Sequence, residues 1–285
     1  MFQSFTLRLG SELVTIDRPQ VMGIVNVTPD SFYTASRNGS EEELSRRVSA
    51  MVTDGAHILD IGGYSSRPGA PEVDVEEEWR RVSLGLKVAR REAPATMLSV
   101  DTFRSEIARR AVEEYGPLII NDISGGSLDS DMWHTVASLG VPYILMHMRG
   151  NPATMQSLTD YTDVTAEVIA DLSRKLRQLR LIGVADVIVD PGFGFSKTLT
   201  QNYELFHHLE LFGETLGAPL LVGISRKSMI SRLLEIDTAE TLAGTVALNT
   251  LALSKGAAFL RVHDVREAVQ ALKVWLAVSR PDILS

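Results

Sequence analysis

The chain has 285 residues, 45% apolar and 22% charged, with no cysteine and 36 acidic against 28 basic side chains, a net charge of −8. That composition excludes bulk disorder, disulfides, thiolate metal sites and a cysteine nucleophile, and it argues against nucleic acid as a partner. No apolar run approaches the ~18 residues a membrane helix needs, and the opening MFQSF has no basic stretch before an apolar core, so no membrane partner and a cytoplasmic location are expected.

The first segment, FTLRLGSELVTI, reads as two short strands around Gly10-Ser11. They form a hairpin over roughly residues 1–17 that stands outside the repeating pattern of the remaining chain and covers one end of it. The next strand is Val21–Asn26, followed by a charged helix over 41–53. His57–Gly63 is a buried strand, and Val75–Arg91 a charged helix. Strands at Thr96–Asp101, Pro117–Asp122 and Pro142–Met148 alternate with helices over 103–114 and 128–139. Val164, Val168, Leu172, Leu176 and Leu179 then recur every three or four residues, one apolar helical stripe. Strands at Asp186–Asp190, Pro219–Ser225 and Ala257–His263 come next, separated by helices over 203–211, 227–234 and 239–254, and a helix over 268–278 closes the chain. The strands are continuously apolar rather than alternating, which indicates burial on both faces and a parallel sheet. Eight strand–helix units in about 260 residues predict an α/β fold, a (β/α)8 TIM barrel with an N-terminal β-hairpin, as one domain over residues 1–285.

In such a barrel the chemistry lies at the C-terminal ends of the strands. Those ends carry Asn26, Asp60, Asp101, Asn121, Asp122, His147, Arg149, Asp190, Ser225, Arg226, Lys227, Arg261 and His263. A barrel with no function at its mouth has no need of so many polar strand ends. Asn121, Asp101, Asp190 and Lys227 suit the edge of a planar heterocycle, because carboxylates accept paired N–H groups and a lysine donates to a carbonyl. Arg261, His263 and Asn26 form a polar and cationic set suited to an oxyanion or a metal-bound phosphate. Together they point to a heterocyclic substrate with an anionic leaving group.

Duller readings compete for several of these residues. Asp60 and Asp122 read equally well as structural acceptors, and His147 as a core histidine. His207 and His208 read as surface groups, and Trp79, Trp133 and Trp275 as packing groups. Glu76-Glu77-Glu78 reads as a solvated helix start, where acids favour the dipole. GFGF (192–195) reads as a tight turn.

At these same segments the sequence resembles the dihydropteroate synthase family. The stretches that carry the resemblance are NVTPDSF (26–32), DIGGYSSRPGA (60–70), SVDT (99–102), NDISGG (121–126), MHMRGNPATMQ (146–156), DPGFGFSKT (190–198), GISRKS (223–228) and RVHDV (261–265), in order across almost the whole chain. The resemblance implies a transferase of folate biosynthesis. It joins 6-hydroxymethyl-7,8-dihydropterin pyrophosphate to p-aminobenzoate, gives 7,8-dihydropteroate and pyrophosphate, and uses Mg²⁺. It implies a pterin held by Asp101, Asn121, Asp190 and Lys227, with Gly223 allowing close approach, Met146 and Phe195 lining the pocket and Arg261 stacking on the ring. Pyrophosphate would fall to Asn26, Arg67, Arg261 and His263, with Asn26 reaching the metal. Ser66, Arg67, Pro68, Phe195, Lys227 and Ser228 would flank p-aminobenzoate. Asp101, Lys227, Arg261 and His263 are the expected catalytic groups.

The chain departs from the family pattern twice. YTASRNGS (33–40) stands where Ser-Asp-Gly-Gly is common, and Tyr64-Ser65-Ser66-Arg67 where Glu-Ser-Thr-Arg is common. Both departures bear on the second substrate and on sulfonamides more than on the pterin. Two rival functions are a folate-to-corrinoid methyltransferase barrel and a non-catalytic pterin-binding paralogue. A homodimer is expected from the family, with Leu248, Leu251 and Leu253 as interface candidates, although the same leucines serve equally well to cover the barrel.

Overall fold

The structure is a computed structural model that describes residues 2–28, 37–64 and 72–284, without the side chains of 37–40 and 283–284. Ser66, Arg67, Pro68 and the segment 33–36 therefore lie outside the described residues. β1 (Phe5–Leu9) and β2 (Glu12–Ile16) pair as an antiparallel hairpin. The next eight strands close into a parallel barrel: β3 (Gln20–Asn26), β4 (Ile58–Gly62), β5 (Met97–Asp101), β6 (Ile119–Asp122), β7 (Tyr143–Met146), β8 (Val187–Asp190), β9 (Leu220–Val222) and β10 (Ala257–Val262), with β10 returning to β3.

Ten α-helices among the described residues surround the barrel, in chain order α1 (Arg37–Thr53), α2 (Val75–Glu92), α3 (Ser105–Tyr115), α4 (Met132–Leu139), α5 (Val164–Leu181), α6 (Leu199–His207), α7 (Glu210–Leu216), α8 (Ser228–Leu234), α9 (Leu242–Ser254) and α10 (Val265–Ser279).

Strand alternation divides the core into two parts. Outward residues such as Val25, Leu59, Val100, Ile120, Leu145, Val189 and Leu260 pack with the helices in one large cluster. Inward residues near the strand starts, Met22, Ile58, Ile119, Ile144, Ile188, Leu221 and Phe259, form a second cluster that the hairpin closes with Leu7 and Ile16. The Arg8 amide also donates to Asp186 at 2.7 Å, so the hairpin covers the N-terminal end of the barrel as expected.

Several boundaries differ from the expectation, each for a local reason. Thr198 and Gln201 form a reciprocal cap that starts α6 four residues early, and the expected 203–211 helix becomes α6 and α7. Residues 128–131 are loop rather than the start of the expected 128–139 helix, and Asp129 there accepts from the Ser105 and Asp131 amides. A single 3-10 turn, Thr238–Glu240, replaces the expected start of the last long helix before β10.

The solvated reading fails for Glu78, which is fully buried. It accepts from Thr102 Oγ1 at 2.6 Å and pairs with Arg104. Glu77 keeps the exposed role, bridging Arg80 and Arg81 on α2. Leu253 packs in the main core and Leu248 is partly buried against it, whereas Leu251 is exposed. Trp79, Trp133 and Trp275 all pack against the main core.

Candidate functional site

Two residues beyond the apolar inward layer, the same strands change character. Ile58 gives way to Asp60, Ile119 to Asn121, Ile188 to Asp190 and Phe259 to Arg261. Period-2 alternation aims each pair at the same interior, so the polar layer sits directly on the apolar one. Arg261 lies between two carboxylates, with Nε donating to Asp60 Oδ2 at 2.6 Å and Nη2 to Asp101 Oδ2 at 2.6 Å. The Asn121 amide nitrogen donates to the same Asp60 oxygen at 3.0 Å. A carboxylate only accepts, so Asp60 turns the Asn121 amide and leaves its oxygen for a ligand. Asp60 Oδ1 and Ser99 Oγ, on facing register positions of β4 and β5, are buried with no hydrogen-bond partner among the described residues.

These groups tune one another. Burial pushes Asp101 up to about 7, helped by the negative charge of Asp60, while Arg261 pulls the other way. Burial disfavours the charge on Arg261, but Asp60 and Asp101 outweigh it and raise its pKa, so the guanidinium stays protonated. Burial raises Asp190 against the pull of Lys227. Lys227 falls to about 8 through burial, with Asp190 opposing. Its ammonium donates to the Phe193 carbonyl and lies 4.7 Å from the centroid of the Phe195 ring. A Cβ at Gly223 would stand 3.8 Å from Arg261 Cβ and 3.9 Å from Asp190 Oδ2, so the missing side chain leaves open the space between them.

Met146 joins Ile123, Met148 and Met155 in a small apolar cluster, with Phe103 and Phe195 packed against it. Ser228 opens α8 beside Lys227 and is exposed. His263 pairs with Ser225 Oγ through Nδ1 at 3.1 Å, and burial and the Arg261 charge pull it down to about 4. It is therefore a neutral polar group at pH 7, not part of a cationic set.

Other strand-end residues do not join this arrangement. Asp122 comes directly after Asn121 and so faces out, accepting from Ser124, Gly126 and the Tyr143 hydroxyl. Arg149 pairs with Glu167 and covers the Tyr161 ring, with its guanidinium carbon 3.7 Å from the centroid. Arg226 makes a double hydrogen bond to Asp264. His147 is buried against Lys197. Lys197 is buried as well, which the sequence does not signal, because a lone lysine after a glycine-rich turn does not announce its burial. Tyr64 meets Phe103 edge-on at 5.1 Å, under the Arg104 guanidinium.

The resemblance implies Mg²⁺. No cluster of three or more His, Asp or Glu among the described residues could cage a metal. What the mouth offers is the neutral Asn26 amide oxygen, 3.6 Å from where a Gly62 Cβ would stand, next to Asp101. Mg²⁺ keeps several waters and is commonly held through substrate phosphates and few protein ligands. The donor set fits a metal that arrives with its substrate.

The pterin-binding enzyme family matches residues 22–263. The dihydropteroate synthase of Escherichia coli is 42% identical over 267 residues, covering 91% of each chain. The chain belongs to the dihydropteroate synthase family. The synthase of Synechocystis is 43% identical over 260 residues, covering 90% of this chain and 89% of the other. A Xanthomonas albilineans dihydropteroate synthase solved with 4-aminobenzoic acid superposes with a TM-score of 0.87 at 41% identity, covering 98% and 99% of the two chains. Another from that organism, in complex with 7,8-dihydropteroate, gives 0.84 at 39% identity, covering 97% and 99%. The chain is thus a folate-biosynthesis transferase on a TIM barrel, and the corrinoid methyltransferase alternative has no support.

Proposed function

We propose that the barrel mouth condenses 6-hydroxymethyl-7,8-dihydropterin pyrophosphate with p-aminobenzoate by dissociative loss of pyrophosphate. The observation that carries this reading is the shared clamp of Asp60, Asp101, Asn121 and Arg261 at the C-terminal ends of β4, β5, β6 and β10. It matches the chemistry of a heterocycle that develops positive charge as an anion leaves.

Asn121, Asp190 and Lys227 bind the pterin edge, with Gly223 leaving room for the ring and Met146 and Phe195 against its faces. Arg261 lies against the ring and meets the leaving group, and its two carboxylates keep it charged and oriented. Asp101, once ionised, stabilises positive charge at the methylene carbon, a field fixed before the reaction begins. His263 donates to pyrophosphate as a neutral imidazole, and an approaching anion favours its protonation. Asn26 would hold Mg²⁺ together with the substrate phosphates, and the ion would supply charge neutralisation to the leaving group. The neutral aniline nitrogen of p-aminobenzoate then bonds to the methylene carbon in place of the broken C–O bond and gives up one proton to solvent, so no protein nucleophile is needed. Phe195, Lys227 and Ser228 flank this second substrate, where a sulfonamide competes, and the resemblance adds Ser66, Arg67 and Pro68 to them; a Yersinia pestis relative has been solved as a sulfonamide complex.

The same reading includes a homodimer in the cytoplasm. Exposed Leu251 on α9 and exposed Val274 and Val278 on α10 support a partner surface on neighbouring helices. Sedimentation of the wild type and Leu251→Glu tests it, and a wild-type monomer overturns it.

The test of the reaction is pyrophosphate release by the purified protein with Mg²⁺ and dihydropterin pyrophosphate, with and without p-aminobenzoate. Release coupled to dihydropteroate, lost in Arg261→Ala and Lys227→Ala, supports the synthase. Pterin binding without release supports the non-catalytic paralogue.

A further inference from the structure

Lys197 is 4% exposed and sits just beyond the glycine-rich turn after β8. Its ammonium donates to the Gly192 carbonyl at 2.9 Å and the Phe195 carbonyl at 3.0 Å, and it meets His147 Nδ1 at 3.2 Å. These bonds join the two ends of the turn from inside. Between them lie the two features that hold Lys227, the Phe193 carbonyl and the Phe195 ring. The turn also supports the stem of that lysine, since a Cβ at Gly194 would stand 3.3 Å from Lys227 Cδ. Gly192, at φ 73°, lies so close to β7 that a Cβ would overlap the His147 carbonyl oxygen.

Burial penalises an ammonium that has no fixed partner, and it pulls Lys197 down to about 7. Here its two carbonyl bonds close a turn that has three residues at positive φ, Gly192, Gly194 and Ser196. These bonds add to the turn's own bond from the Phe195 amide to the Gly192 carbonyl, at 3.2 Å, and to the packing of the Phe193 ring against Phe206, and they fix the carbonyls at both ends of the segment that meets Lys227. Asp190 secures only the Gly192 amide, at 2.8 Å. Gln156 and Asn202 reach only Gly194, the former through its carbonyl and the latter through its amide.

We propose that Lys197 is a positioning residue that acts through the 192–195 turn to aim Lys227 at the pterin. The inference rests on the proposed pterin contact of Lys227. Lys197 touches neither substrate, and its effect passes through backbone carbonyls.

The test is a double-mutant cycle read by calorimetric binding of an unreactive oxidised pterin, with the thermal midpoint recorded for every variant. Lys197→Met keeps the length of the side chain and removes its donors. It is expected to weaken pterin binding about tenfold, raise KM for the pterin substrate more than it lowers kcat, and leave binding of Mg²⁺-pyrophosphate alone within about twofold. Lys227→Ala is expected to weaken pterin binding at least as much. In the Lys227→Ala background the Lys197 change is expected to have no further effect, because its route is already cut.

Full additivity of the two changes overturns the positioning role. So does a Lys197→Met variant with wild-type pterin affinity. A Lys227→Ala variant with wild-type affinity instead overturns the proposed pterin contact, a separate failure. Lys197→Gln, which shortens the side chain and puts an amide in place of the ammonium, is the second probe should Lys197→Met not fold. It is expected to give a smaller loss of the same kind that also vanishes in the Lys227→Ala background. Unchanged affinity in it, or an additive loss, overturns the proposal.

Discussion

The two ends of the barrel interior are built by the same strands two residues apart, and they do opposite things. At the N-terminal end Met22, Ile58, Ile119, Ile144, Ile188, Leu221 and Phe259 fill the barrel and the hairpin seals it. At the C-terminal end Asp60, Asn121, Asp190 and Arg261 stand at the equivalent inward positions of their strands. The lower layer contributes stability through burial and close packing. The upper layer holds buried charges that a protein built only for stability would replace with apolar groups. The division lets the mouth carry strained electrostatics without loosening the barrel.

The strongest way to break the comparison is at Arg261. Arg261→Ala leaves Asp60 and Asp101 buried without their cation. Turnover is expected to fall at least about 10²–10³-fold, with a measurable loss of thermal stability as well, since removing one partner of a buried pair exposes the other to its full desolvation cost. A variant with wild-type turnover would remove the clamp from the mechanism.

Asp101→Asn sharpens the comparison by separating binding from chemistry. It is expected to lower kcat on the order of 10²-fold while pterin affinity changes only a few-fold. Equal losses in both would count against charge stabilisation at the methylene. The pH profile supplies a second reading. With Asp101 raised to about 7 and Lys227 lowered to about 8, the active ionisation is carboxylate plus ammonium. The kcat/KM for the pterin substrate should therefore rise as pH passes about 7 and fall as it passes about 8. In Asp101→Asn the rising limb should vanish and the falling limb remain.

At the other end, Phe259→Ala removes a fully buried ring that meets Phe5 at 6.0 Å. The expected cost is about 3–5 kcal/mol of stability in denaturant melts, with kcat of the folded enzyme within about twofold. A large drop in kcat would show that the two layers are coupled. The smallest effect is expected at the rim. Tyr64→Glu puts a carboxylate in place of the ring and removes the edge-on contact with Phe103. KM for p-aminobenzoate should shift about threefold, with KM for the pterin substrate unchanged, since an aromatic pair contributes about 0.5–1.5 kcal/mol. A shift in the pterin KM alone would place Tyr64 in the first site.

The sequence by itself determined the eight-fold alternation, the hairpin and the strand ends where chemistry gathers, because burial on both faces writes continuous apolar runs and strand ends interrupt them with polar groups. Adding the motifs, it also determined the family. It placed Asp101, Asn121, Asp190, Lys227 and Arg261 at the mouth one by one, but not their pairings. Only the tertiary structure decided that Asp60 is shared by Arg261 and Asn121, because those residues lie 201 and 61 positions away along the chain. It alone decided that Glu78 is buried against Arg104 while Glu77 beside it faces water, since a helix turns about 100° per residue and adjacent acids look in different directions. It alone showed that Asp122 faces away from the site beside Asn121, and that Lys197 is buried within a turn. A run of residue types records which groups are available; which of them lose their water, and to which partner, depends on contacts that exist only once the barrel has closed.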